Sequence, residues 1–132
     1  MYQRTVLIVE DQPLIRMMLA DALEDEGYNV IEAKAVLEAI AILAEKNVDA
    51  VITDIDLPGG VSGLDLADFV HRSLRGLPVI VTSGGREVKD CRLPEGGQFI
   101  PKPYRLESML ELLLVSLATT RAPRASSKTR AA

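Results

Sequence analysis

The chain has one cysteine, Cys91, among its 132 residues. That excludes an internal disulfide and is the cysteine usage expected of a cytoplasmic protein. No histidine lies near Cys91 in sequence, so nothing marks it as a reactive thiol. Long apolar runs are lacking too. None approaches the roughly 20 residues that span a bilayer, and the first, Val6-Leu7-Ile8-Val9, is too short for a signal-peptide core. No internal repeat of fixed period is visible. Cations are scarce in the body of the chain. Arg121, Arg124, Lys128 and Arg130 are four of the 15 lysines and arginines, which leaves 11 in residues 1–118 against all 19 acids. An acidic body disfavours general nucleic-acid binding and favours a metal cation. Residues 119–132 lack large apolar side chains and read as a disordered basic tail, with too few charges to specify a partner. The whole chain is 48% hydrophobic and 26% charged, and residues 1–118 read as one soluble domain.

Within that domain, short β-type runs alternate with helical periodicity from end to end, which predicts βα units around a parallel sheet. Pro13 suits the first turn of a helix whose stripe is Leu14, Met18, Leu19, Ala22 and Leu23, stopped by Gly27. Tyr28 to Ile31 reads as the second strand. Val36, Ile40 and Leu43 mark a second helix that ends near Asn47. A third strand closes at Asp54, and Leu57-Pro58-Gly59-Gly60 is a turn. Leu64, Ala67, Val70 and Leu74 give a third helix up to Gly76, and a fourth strand follows Pro78. The segment from Gly84 to Gln98 is the least regular, with helix chemistry only from Arg86 to Arg92, so the fourth helix is expected to be short or missing. A fifth strand follows. Leu106, Met109, Leu110, Leu113, Leu114 and Leu117 then form the stripe of a last helix that packs on the sheet.

Four of the apolar runs end in chemistry-bearing residues. Val6 to Val9 leads into Glu10-Asp11, Ala50 to Thr53 into Asp54, Val79 to Thr82 into Ser83, and Phe99-Ile100-Pro101 into Lys102. In an open parallel sheet, ligands bind outside the carboxyl ends of the strands, at the point where strand order reverses. An Asp or Gln just before Pro13 has a simple alternative role as a helix cap, but that accounts for one acid and not for an adjacent pair. An Asp before a turn is often structural as well. Three clustered carboxylates, however, repel one another in a partly desolvated pocket and raise at least one pKa, a cost that a bound cation removes. Mg²⁺ takes such oxygen ligands together with water and phosphate oxygens. A lysine supplies a compact charge for phosphate, and a hydroxyl donates to a phosphoryl oxygen.

These stretches resemble the receiver domain of two-component response regulators over residues 4–118. The matching segments are Val-Leu-Ile-Val-Glu-Asp, Val-Ile-Thr-Asp-Ile-Asp-Leu-Pro, Gly63-Leu64-Asp65-Leu66, Pro78-Val79-Ile80-Val81-Thr82-Ser83-Gly84 and Phe99-Ile100-Pro101-Lys102-Pro103. The resemblance implies a flavodoxin-like (βα)₅ fold, doubly wound, with strand order 2-1-3-4-5. It implies Asp54 as phosphoacceptor, taking a phosphoryl group from a sensor histidine kinase or a histidine phosphotransfer protein. Asp11 is similar in place to the direct ligand of Mg²⁺ (or Mn²⁺), Glu10 to the acid that holds metal-bound water, and the Asp56 backbone carbonyl to the third protein ligand. Ser83 matches the hydroxyl on the phosphoryl oxygens, with Thr82 as its rival; Gly84 after Ser83 favours the former. Lys102 matches the phosphate-pairing lysine and Phe99 the aromatic switch residue. The resemblance further implies a protein that catalyses only its own phosphoryl transfer and dephosphorylation. Residues after 118 offer nothing expected to fold into an effector unit, so a stand-alone cytoplasmic switch or phosphate shuttle is expected. It would contact an unidentified downstream protein and, with its acidic body and short apolar runs, neither DNA nor a membrane.

Three features depart from the family pattern. Asp56 adds an acid two residues after the phosphoacceptor, the turn from Pro58 to Gly63 is one residue longer than usual, and only 15 residues separate Ser83 from Phe99. The last puts the usual output face in doubt. Two other readings compete. One is a degenerate receiver that binds partners without phosphorylation, against which the complete acid–hydroxyl–lysine set argues. The other is a haloacid-dehalogenase-like phosphatase, suggested by Asp54-Ile55-Asp56, although that motif normally ends the first strand. His71 reads as a half-buried helix residue, not a phosphodonor or a ligand.

Overall fold

The computed structural model describes residues 3–85, 93–94 and 96–119. Five parallel strands, β1 (Thr5–Val9), β2 (Asn29–Ala33), β3 (Ala50–Asp54), β4 (Val79–Ser83) and β5 (Gly97–Pro101), form one sheet in the order β2-β1-β3-β4-β5. The described helices are α1 (Pro13–Asp25), α2 (Val36–Glu45), α3 (Gly63–Ser73) and α4 (Leu106–Ala118). This is the flavodoxin-like order that the family resemblance implies. Residues 86–92 and 95 lie outside the described residues, and with them the short or missing fourth helix and Cys91. Residues 120–132, most of the basic tail, lie outside them as well.

Each strand side chain alternates between the two faces of the sheet, so each face receives every second residue. On one face Leu7, Val9, Val51, Val79 and Val81 meet Val36, Ala39 and Leu43 of α2 and Leu66, Ala67 and Val70 of α3. On the other Val6, Ile8, Ala50, Ile52 and Ile80 meet Leu19, Ala20 and Leu23 of α1 and Met109, Leu113 and Leu117 of α4. Burial on both faces explains why the central strands are continuous apolar runs instead of alternating ones.

The elements differ from their sequence expectations mainly at the edges. β2 runs Asn29–Ala33, two residues past the predicted end, because edge pairing with β1 continues to Ala33 opposite Val9. Helices α2 and α3 stop at Glu45 and Ser73, short of Asn47 and Gly76. The stripes of α1 and α4 are narrower than periodicity predicts: Leu14, Met18 and Leu114 are exposed. Period alone finds a stripe's centre, whereas the packed sheet decides its width. Pro13 opens α1 as expected, yet the N-cap Gln12 makes no side-chain cap bond. Gln12 therefore supplies no cap to α1. Gln12 N–H instead donates to Glu10 Oε2 at 3.2 Å.

The loop between β3 and α3 turns through Gly59 and Gly60, both at positive φ (97° and 79°), a region L side chains avoid. It ends in a capping box. The Ser62 hydroxyl accepts from the N–H groups of Leu64 and Asp65, and the Ser62 N–H donates back to Asp65 Oδ2 at 2.9 Å. That cap brings Gly63 against the end of β3. A Cβ on Gly63 would meet the Asp54 carbonyl oxygen and lie 2.8 Å from its carbon, so only glycine lets α3 approach this strand end.

Candidate functional site

The carboxyl ends of β1, β3, β4 and β5 deliver the predicted residues to one edge of the sheet. Glu10 directly follows β1 and continues its ladder, its N–H donating to the Ala33 carbonyl at 3.0 Å. Asp54 is the last residue of β3, paired with Thr82 of β4. The next N–H, of Ile55, donates to the Thr82 carbonyl at 2.9 Å. Ser83 ends β4, and its carbonyl accepts from Lys102 N–H at 2.9 Å, which places the lysine just beyond β5. Parallel pairing thus sets the order of the groups, and the strand ends set their level.

Lys102 lies at the centre. Its Nζ donates to Glu10 Oε1 at 2.9 Å and to Asp54 Oδ2 at 3.2 Å. All three side chains are largely shielded, at 14%, 5% and 8% exposure respectively. Asp11 completes the acidic group from the exposed side: one carboxylate oxygen each from Glu10, Asp11 and Asp54 lie within 4.8 Å of one another. Asp11 and Asp56 also line a shallow cleft with Leu57, Pro58 and Asp65.

Burial pushes the Asp54 carboxyl above its usual pKa; the Glu10 charge adds to this, and the Lys102 ammonium opposes it without cancelling it. For Lys102 burial acts to lower the pKa, but the hydrogen bond to Glu10 and the charges of Asp54 and Glu10 outweigh it, leaving the ammonium raised. The sequence reading anticipated a raised carboxylate from mutual repulsion. The larger cause is desolvation, and the repulsion is partly met by Lys102, a cation the chain itself provides. Tyr104, two residues after Lys102, belongs to the same electrostatic field. Burial raises its phenol, the negative charges of Glu10 and Asp54 raise it further, and Lys102 acts against them.

Ser83 is fully buried, and its Oγ accepts from Gly85 N–H at 3.3 Å. Thr82, the rival hydroxyl, is buried one residue earlier, and strand alternation turns it to the opposite face. Phe99 is half-buried on β5, opposite Val81, and packs with the core cluster that contains Val81. Ser83 follows Val81 by two residues and so shares the face of Phe99. Asp56 is exposed. His71 is half-buried on α3, near the opposite end of the sheet, and lines a cavity with Leu77, Pro78 and Gly97.

Two contributors were not read from the sequence. Gly63 appeared there only as part of a matching stretch, yet its missing side chain is what admits the Asp54 carbonyl. Thr53 Oγ1 donates to that same carbonyl at 3.0 Å. The Gly63 contact has no local signal, because it depends on how closely α3 docks onto β3. The Thr53 bond joins neighbours in one strand but is one a threonine makes only in this backbone arrangement.

The donor set fits a small hard cation. Three carboxylates, two of them buried, offer oxygen ligands in a pocket still open on the Asp11 side, which suits Mg²⁺ or Mn²⁺ with water and phosphate oxygens completing the shell. No helix among the described residues is long and apolar enough to cross a membrane.

Comparison with known proteins agrees with this fold. The family model described as "Response regulator receiver domain" matches residues 6–114. The polar-differentiation response regulator DivK of Brucella ovis is 33% identical over 115 residues, which cover 83% of this chain and 93% of that protein. A putative response regulator, NtrX-like, of Rickettsia conorii is 34% identical over 128 residues, covering 94% of this chain but only 27% of the relative. The chain therefore spans about a quarter of the length of that relative. Among solved structures, the CheY-like receiver domain protein from Methanospirillum hungatei JF-1 superposes with a TM-score of 0.81 at 25% identity, covering 90% of this chain and 97% of that one.

Proposed function

This chain belongs to the response regulator receiver domain family, and from that premise we propose that it is a phosphorylation-dependent signalling switch with Asp54 as its acceptor. The donor is a phosphohistidine on a sensor histidine kinase or a histidine phosphotransfer protein. One observation carries the assignment: Lys102 Nζ lies 2.9 Å from Glu10 and 3.2 Å from Asp54 at the carboxyl edge of the sheet. That places a fixed cation beside the carboxylate that would receive the phosphoryl group.

In the reaction an Asp54 carboxylate oxygen attacks phosphorus, the P–N bond to the donor imidazole breaks, and its electron pair returns to the ring nitrogen. Such transfers pass through a loose, in-line transition state, so the protein chiefly positions groups and neutralises charge. Partial burial strips water from Asp54 and keeps its nucleophilic oxygen from being fully hydrated. Lys102 is already oriented by the two carboxylates, so it meets the incoming equatorial oxygens with little reorganisation. The Ser83 hydroxyl accepts from the Gly85 N–H, and its own proton is free to turn toward a phosphoryl oxygen. Glu10, Asp11, Asp54 and the Asp56 carbonyl would hold Mg²⁺ or Mn²⁺, which supplies further charge neutralisation at the phosphoryl group.

Once Asp54 carries phosphate, Lys102 and Ser83 are drawn to the new charge and away from Glu10 and Gly85. Phe99, on the same sheet face as Ser83, is the side chain placed to follow. Output passes through contact with a further protein. Dephosphorylation by water at the same group is the only other reaction assigned to the site.

The test is incubation with Mg²⁺ and acetyl phosphate followed by intact mass measurement, on the wild type and on Asp54→Asn. A single phosphate adduct on the wild type alone is expected. No adduct on the wild type would favour a phosphorylation-independent binding module, and an adduct surviving in the variant would reject Asp54 as acceptor.

A further inference from the structure

We propose that Arg16 is a positioning residue for the acidic pair, a brace that holds the Glu10-Asp11 backbone at the end of β1 in its cation-binding arrangement. Arg16 lies one turn into α1, its own N–H donating to the Gln12 carbonyl at 3.0 Å. Helical side chains lean toward the N-terminus, and this one reaches back to the strand end from which the helix departs. Its Nη1 donates to the Glu10 backbone carbonyl at 2.8 Å, while its Nε donates to Glu32 Oε1 at 3.1 Å. The arginine side chain is 13% exposed and its glutamate partner 47%.

Glu10 is thereby held at each of its polar groups. Its N–H is bound to Ala33 of β2, its carbonyl to Arg16, and its carboxylate to Lys102 and the Gln12 N–H. The carbonyl is the link that matters for Asp11, since the peptide plane between residues 10 and 11 is oriented by whatever grips that oxygen. Asp11 is exposed and its side chain has no hydrogen-bond partner among the described residues, so its placement depends on its backbone. Glu32, on edge strand β2, anchors the arginine from the side away from the site. Only a planar fork can serve both acceptors at once; a lysine ammonium reaches one or the other.

A brace and a simple counter-charge predict opposite signs. The guanidinium is positive, so if it acted only through its charge, removing it would make the acidic pocket more attractive to a cation. If it acts by orientation, removing it scatters the Asp11 carboxylate and weakens cation binding. Groups that orient metal ligands typically contribute about 10–100-fold in affinity.

This inference rests on the pocket binding a divalent cation. Isothermal titration calorimetry with Mg²⁺, well below the melting temperature of each protein, separates the two claims. Wild type that binds no Mg²⁺ would sink the cation site itself, and with it the brace. If wild type binds, Arg16→Met is expected to weaken binding by about tenfold or more, with Arg16→Lys intermediate because one contact is kept. Glu32→Gln retains the guanidinium charge but loosens its anchor, and a loss of about threefold is expected. Should Arg16→Met fail to fold, Arg16→Lys and Glu32→Gln decide, since both keep a cation and leave the core untouched. Unchanged or tighter binding in the folded variants, with wild-type binding intact, would overturn the brace and leave the receiver assignment standing.

Discussion

Replacing Lys102 by methionine isolates the group on which the site depends. Methionine keeps an apolar stem of similar reach and removes only the charge and the donors. In the native protein that charge lies 2.9 Å from Glu10 and 3.2 Å from Asp54. At an effective dielectric constant of about 20, each attraction is worth about 5 kcal/mol before the cost of desolvating the ammonium. Removing one partner from a shielded ion cluster typically costs about 3–5 kcal/mol, most of it from stranded charge. The loss expected for Lys102→Met is therefore about 3 kcal/mol at neutral pH without metal, toward the lower end because Asp11 keeps one side of the cluster open to water. The assay is urea unfolding followed by circular dichroism in chelator and again in saturating Mg²⁺. A ligand that binds only the native state adds about 2.7 kcal/mol at a hundredfold excess over its Kd. In the wild type that gain is diminished, because the ammonium and the ion compete for the same carboxylate oxygens. Mg²⁺ is thus expected to stabilise Lys102→Met more than the wild type and to recover much of the deficit. A cost below about 1 kcal/mol in chelator, or equal Mg²⁺ stabilisation of both proteins, would refute the view that Lys102 neutralises the cluster.

Three further outcomes follow from the same geometry. The Asp54 carboxyl is raised above its usual pKa, chiefly by burial, so its ionised form destabilises the fold: the native state takes up the proton first, and stability falls as pH rises from the unfolded value through the folded one. Asp54→Asn in chelator is accordingly expected to be more stable than wild type at neutral pH, with the difference shrinking on acidification through that window; urea midpoints that show wild type equal or more stable at pH 7 contradict this. Gly63→Ala forces a methyl group against the Asp54 carbonyl and should cost about 1–3 kcal/mol while slowing adduct formation from acetyl phosphate, and wild-type stability together with wild-type rate would show that α3 has room to move. Asp56→Asn removes an exposed carboxylate from the cleft beside Asp11 and is expected to change either Mg²⁺ affinity or phosphorylation rate, so unchanged values of both would mean that the second acid of Asp54-Ile55-Asp56 plays no part in the site.

Much of the site was legible because it lies at element ends, where local signals are strongest. An apolar run followed by an acid, hydroxyl or lysine marks a strand leaving the sheet, and four such runs identified Glu10, Asp11, Asp54, Ser83 and Lys102. Residues whose roles depend on docking between elements were not legible in the same way. Arg16 reads in sequence as an ordinary helix arginine and Glu32 as an edge-strand acid, with 15 residues between them and no pattern joining them. Gly63 reads as the end of a turn. Helix stripes were overestimated at Leu14, Met18 and Leu114 for a related reason: periodicity says which residues lie on one side of a helix, while the neighbouring sheet determines how much of that side is covered.

By itself, then, the sequence determined the parallel sheet and the kind of chemistry its edge would carry. Backbone preference, period and turn residues are short-range properties, and each strand end is written within a few residues. Only the tertiary structure decided the state of the site. Lys102 meets Glu10 across 92 positions and Asp54 across 48, and those distances depend on strand order, register and burial acting together. For the same reason it took the folded chain to show that desolvation is the main cause of the raised Asp54 pKa, and that a lysine of the protein already stands among its acids. Charge can be counted along a chain, but its energy depends on distance and on the water removed, which only folding sets.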